Sequence, residues 1–182
     1  MELTKENVAL LAACGVLLGT VISNVMTYLI HNSKQKNEWI KDNKRKRIEK
    51  AEELYRNLVI WKQSVFSTHN DWVLLVRGHL SLDQTLDKVI EKNIKNPEYS
   101  KINELTSILA GIYFPDIGAK IKEAQKELMP ANDIYFGITR GIIPKDKEEA
   151  VNTILNAGRN FDSYVDSILE VLSCKILEMM GK

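Results

Sequence analysis

Between Asn7 and Ser33 the chain carries no Asp, Glu, Lys or Arg, and the stretch from Val8 to Ile30 is dominated by Val, Leu, Ile and Ala. At about 1.5 Å per residue a helix of that stretch reaches roughly 34 Å, enough for a hydrocarbon core of about 30 Å, so the pattern predicts a transmembrane helix. Its polar residues are scattered Thr, Ser and Asn, without the polar face of a helix packed on a globular body.

Beyond this run the apolar positions take up helical spacing. Ala51, Leu54, Leu58, Trp61, Val65, Thr68, Trp72 and Leu75 recur in steps of three and four, which predicts one helix from about Lys36 to Arg77, closed by Gly78. Ser81 and Gln84 have the spacing of a capping box, and Leu82, Leu86, Val89 and Ile90 predict a shorter helix ending near Asn93. Asn96-Pro97-Glu98 reads as the start of the next helix, with Asn96 as cap and Ile102, Leu105, Leu109 and Ile112 on the buried face. Pro115 kinks that helix or restarts it at Asp116, and Ile117, Ile121, Ala124 and Leu128 resume the stripe before Met129-Pro130 ends it. Residues 131–144 read as a loop with one short turn of helix. A last helix begins around Asp146 and carries Val151, Ile154, Leu155, Gly158, Phe161, Val165, Ile168, Leu169, Leu172, Ile176 and Met179. No run alternates with period two for long enough to force a strand. The expected fold is all-α: one N-terminal transmembrane helix followed by a cytoplasmic antiparallel helical bundle of three long helices and one short one.

Charge adds an orientation. One cation, Lys5, precedes the apolar run, whereas Lys34, Lys36, Lys41, Lys44, Arg45, Lys46, Arg47 and Lys50 follow it. Cations beside a span are retained on the cytoplasmic side, so the N-terminus is expected outside and the rest of the chain inside, as a single-pass protein of the cell membrane. Residues 34–50 carry +5 and residues 1–33 carry −1, which leaves −3 for residues 51–182 of a chain whose net charge is +1. The expected division is an outside tail and anchor over 1–33, a basic juxtamembrane stalk over 34–50 and a helical-bundle domain over 51–182. Lys44, Arg45, Lys46 and Arg47 are the candidate membrane-surface contacts, since each cation near an anionic leaflet contributes about 1 kcal/mol. With no global excess of cations, a nucleic-acid partner is not expected.

Within the apolar run Gly15, Gly19 and Ser23 recur every four residues, and Thr20, Asn24 and Thr27 follow helical spacing on a neighbouring face. Small residues allow close helix approach and an amide seeks a partner in lipid, so Gly15, Gly19, Ser23 and Asn24 are candidates for self-association into a homo-oligomer. Leu11-Ala12-Ala13-Cys14 resembles the lipobox of bacterial lipoproteins over four residues. The apolar run continues well past Cys14 and the leader MELTKE carries two acids around one lysine, unlike a signal peptide, so Cys14 reads as a small residue inside the span.

The chemistry-bearing residues form no recognisable constellation. The three histidines, His31, His69 and His79, lack the one-turn spacing of a zinc protease, and His69-Asn70-Asp71 reads as a polar patch. No phosphate loop and no nucleophile elbow is present, and Gly137-Ile138-Thr139-Arg140-Gly141 lacks a following helix start to complete an anion cradle. Cys14 and Cys174 are too few for a disulfide scaffold, and Cys174, between Leu172 and Ile176, reads as a buried thiol. Trp61 and Trp72 read as bundle packing. Tyr113-Phe114 and Tyr135-Phe136 stand at chain breaks, where they pack a kink or dock a partner. No enzyme activity, cofactor or metal is expected. The expected function is that of a membrane-anchored helical protein acting by protein–protein contact, as an adaptor, assembly or regulatory subunit. The alternative is a small pore-forming effector that oligomerises through its span.

Overall fold

The structure, a computed structural model, describes the backbone of residues 5–181 and the side chains of residues 23–181. Its described residues form six helices and no strand: α1 (Lys5–Val76), α2 (Leu82–Lys95), α3 (Ile102–Tyr113), α4 (Pro115–Glu127), α5 (Met129–Thr139) and α6 (Lys147–Met180). The all-α reading of the sequence holds. The chain divides into two units, residues 1–46 and 47–182.

In the first unit the described residues belong to α1, and the segment 34–46 is helical. No glycine or proline lies between Thr20 and Arg77, so nothing in the sequence interrupts helical hydrogen bonding there. Val25, Met26, Tyr28, Leu29 and Ile30 are exposed, as are Trp39 and Ile40.

The transmembrane expectation is corrected. Among the described residues, no helix is long and apolar enough to cross a membrane. The described side chains of the apolar stretch are those of residues 23–30. Beyond it α1 becomes polar at His31 and cationic from Lys34. The single-pass placement with its outside N-terminus is therefore not supported. Cys14, Gly15 and Gly19 lie outside the residues whose side chains are described.

In the second unit the helix boundaries follow from local chemistry. Gly78, at φ +83°, ends α1: its N–H donates to the Leu75 carbonyl at 2.9 Å and the His79 N–H to the Leu74 carbonyl at 2.8 Å, the Schellman arrangement that favours glycine. The capping box at Ser81 forms as expected, with Gln84 N–H donating to Ser81 Oγ at 3.2 Å and Ser81 N–H to Gln84 Oε1 at 2.9 Å. Asp146 caps α6 by accepting from the Glu148 and Glu149 amides at 2.8 and 2.9 Å.

Two boundaries differ from the sequence reading. Asn96 does not start α3; it ends α2, donating its N–H to the Lys92 carbonyl at 2.8 Å, and α3 begins at Ile102 after a turn. Met129-Pro130 opens α5 where a loop was expected, because a proline in the first turn surrenders no intrahelical bond. The body accordingly holds more and shorter helices than three long and one short.

The core has two clusters. The first gathers Ala51, Leu54, Leu58 and Trp61 of α1 with Ile102 and Leu109 of α3, Ile117 and Ile121 of α4, and Phe161, Val165, Ile168 and Leu172 of α6. Trp61 meets Phe161 edge to face, with centroids 4.7 Å apart. The second gathers Trp72, Val73 and Val76 with Ala131, Ala150, Val151, Ile154 and Ala157, and Trp72 stacks on Tyr135 at 4.4 Å. Lys62 pairs with Asp162 and Asp166, and His69 abuts Gly158, so α1 and α6 run antiparallel here. Both tryptophans pack in the core as the sequence suggested.

Candidate functional site

Between the two clusters, His69 faces α6. It sits three residues before Trp72 and four after Val65, which places it on the buried stripe, and it is 6% exposed. Opposite it, Gly158 occupies the corresponding gap on the α6 stripe, between Ile154 and Phe161. A Cβ at residue 158 would lie 3.1 Å from His69 Nδ1, so the imidazole occupies space that any larger side chain would contest. Nδ1 has no hydrogen-bond partner among the described residues. Burial lowers the His69 pKa to about 4, so the ring is neutral at pH 7.

A cavity of about 280 Å³ opens beside His69 between α1 and α6. Val65, Phe66, Ile154 and Leu155 give it apolar walls, and Lys62, Asn70, Arg159 and Asp162 line it with polar groups. Lys62 is committed to carboxylates, at 3.3 Å to Asp162 and 2.6 Å to Asp166. Partial burial works against its charge, but Asp166 and Asp162 outweigh it and hold its pKa above the ordinary lysine value. Arg159 makes no ion pair or hydrogen bond among the described residues.

His69 also lines a smaller cavity of about 130 Å³, whose walls include Ser64, Thr68, Tyr99, Asn103, Asn132 and Tyr135. The Tyr135 hydroxyl is buried without a hydrogen-bond partner, and its ring lies 5.8 Å from the His69 ring. Burial pushes its pKa well above the ordinary phenol value.

The polar-patch reading of His69-Asn70-Asp71 is corrected, because His69 and Asp71 are both buried. Asp71 pairs with Lys92 of α2, whose ammonium also donates to the Ser67 carbonyl at 3.2 Å. Cys174 is exposed, not buried: Leu172 and Ile176 take the inward positions and residue 174 falls between them.

Two of the expected stripes are only partly buried: Leu82 and Val89 of α2 are half-buried and Ile102 and Leu109 of α3 are buried, while their other members face solvent. On α2, Leu86, Ile90 and Ile94 are exposed, the last at 73%, and Thr85 is the one fully buried residue of that helix. On α3, Leu105, Ile108 and Ile112 are exposed, the last at 68%, while Ile102, Thr106, Leu109 and Ala110 turn inward. Both helices thus carry apolar residues on an uncovered side.

Ser23 and Asn24 are exposed on α1, as are Lys44, Arg45, Lys46 and Arg47. Successive helical residues differ by about 100° in direction, so the four cations spread around α1 and do not form a one-sided patch. Among the described residues no three His, Cys, Asp or Glu side chains gather as a metal site. No family model, curated protein or solved structure matches the chain.

Proposed function

We propose that the helical body acts by protein–protein contact, as an adaptor, assembly or regulatory subunit, and that the partner offers an amphipathic helix to the apolar stripes of α2 and α3. The observation that carries this reading is the exposure of Leu86, Ile90 and Ile94 on α2 and of Leu105, Ile108 and Ile112 on α3. Their spacings of three and four residues make each set a continuous ridge along its helix, the form that a partner helix packs against. Neither ridge contributes to the two core clusters, so their apolar character is not required by the fold. Exposed apolar ridges of this kind mark interaction surfaces.

A photo-reactive phenylalanine analogue placed at Ile90 or Ile108, with one at the exposed Asp133 as control, tests this. Irradiation in the producing cells is expected to give one discrete adduct to another protein from Ile90 or Ile108 and none from Asp133. Equal labelling from all three positions, or adducts only to the chain itself, would count against a heterologous partner.

A further inference from the structure

The cavity between α1 and α6 carries an inference independent of the docking ridges. Two observations point to an occupant. Phe66 lines this cavity and is 75% exposed, a large apolar ring left uncovered at the opening. His69, buried on the inner side, brings an imidazole whose Nδ1, beside Gly158, has no hydrogen bond among the described residues. A buried polar group without a partner is costly, and a ligand that supplies one recovers that cost. The volume of about 280 Å³ lies near the lower end of the roughly 300–1,000 Å³ typical of small-molecule sites, so the ligand is small.

Its head group follows from the charges. Lys62 is already held by Asp162 and Asp166, which leaves Arg159 as the uncommitted cation of the lining among the described residues. A guanidinium forms paired hydrogen bonds with a carboxylate, and a neutral imidazole can donate one more. We infer that this cavity binds a small carboxylate with a short apolar tail or ring, its head on Arg159 and the His69 imidazole and its body against Val65, Phe66, Ile154 and Leu155.

The test titrates the full chain with octanoate and, separately, with octan-1-ol, following heat by calorimetry and the His69 ring by NMR. Octanoate is expected to bind saturably at one site per chain, with octan-1-ol at least tenfold weaker, and to perturb the His69 ring resonances. Arg159→Gln, at an exposed position that should leave the fold intact, is expected to weaken octanoate at least tenfold while leaving octan-1-ol unchanged. Leu155→Trp, which fills the cavity, is expected to abolish both. Absence of saturable octanoate binding would overturn the inference, as would equal affinity for the alcohol or undiminished binding by the folded Arg159→Gln protein.

Discussion

His69 of α1 rests against Gly158 of α6 so closely that a methyl group at residue 158 would stand 3.1 Å from Nδ1. The contact joins the two helices where one core cluster gives way to the other, and it couples two positions that a stability measurement can separate. Alanine at a helical glycine ordinarily adds about 1 kcal/mol through lower backbone entropy in the unfolded chain. Gly158→Ala is expected to give none of that gain with His69 present and to recover about 1 kcal/mol in a His69→Ala background. Urea denaturation of the four proteins of this cycle reads the difference directly, and equal effects in both backgrounds would remove the contact from the account.

The same histidine makes stability depend on pH. Its folded pKa is about 4, whereas an unfolded histidine titrates near 6.5. Between those values the unfolded chain takes up a proton that the folded chain refuses, so unfolding free energy rises with pH across the window and the contribution is complete above it. Acidification from pH 6.5 to 5 is expected to cost about 1.6 kcal/mol, since the slope approaches its full value of about 1.36 kcal/mol per pH unit only below the unfolded pKa. His69→Leu should flatten that slope, as measured by denaturation at several pH values.

Asp71 is buried and depends on Lys92 for its ion pair. Lys92→Ala would strand the carboxylate and is expected to destabilise the protein by about 2–3 kcal/mol, while Asp71→Asn combined with Lys92→Met should cost less than Lys92→Ala alone. Thermal unfolding of the two variants ranks them. A double variant no more stable than Lys92→Ala would show that the pair matters for packing and not for charge.

How far the sequence could be read depended on whether a pattern was local. The capping box at Ser81, the cap at Asp146 and the stripes of α4 and α6 are settled by neighbours in the chain, and each appears where the spacing puts it. Met129-Pro130 reads as a helix end, but a proline begins the next helix as readily as it ends the last, and α5 follows from that second choice. The exposure of Leu105, Ile112 and Ile90 could not be read from periodicity, because α3 is apolar on several sides and α2 is barely covered. The apolar run from Val8 to Ile30 is compositionally clear, yet among the described residues no helix is long and apolar enough to cross a membrane. For the cavity a signal did exist: His69 falls on the stripe between Val65 and Trp72, and Gly158 falls on the facing stripe. Only the antiparallel pairing of α1 with α6 brings the two together.

The central claim is that the ridges of α2 and α3 hold a partner helix, and affinity capture tests it most directly. Immobilised full-length protein is compared with an Ile90→Glu/Ile108→Glu variant and with an Asp133→Lys control, each first shown by circular dichroism to unfold at the same temperature. All three substitutions lie at exposed positions. The account predicts that wild type and control retain the same protein in near-stoichiometric amount from the producing cells, and that the double variant loses it. Retention by all three, or by none, would contradict it.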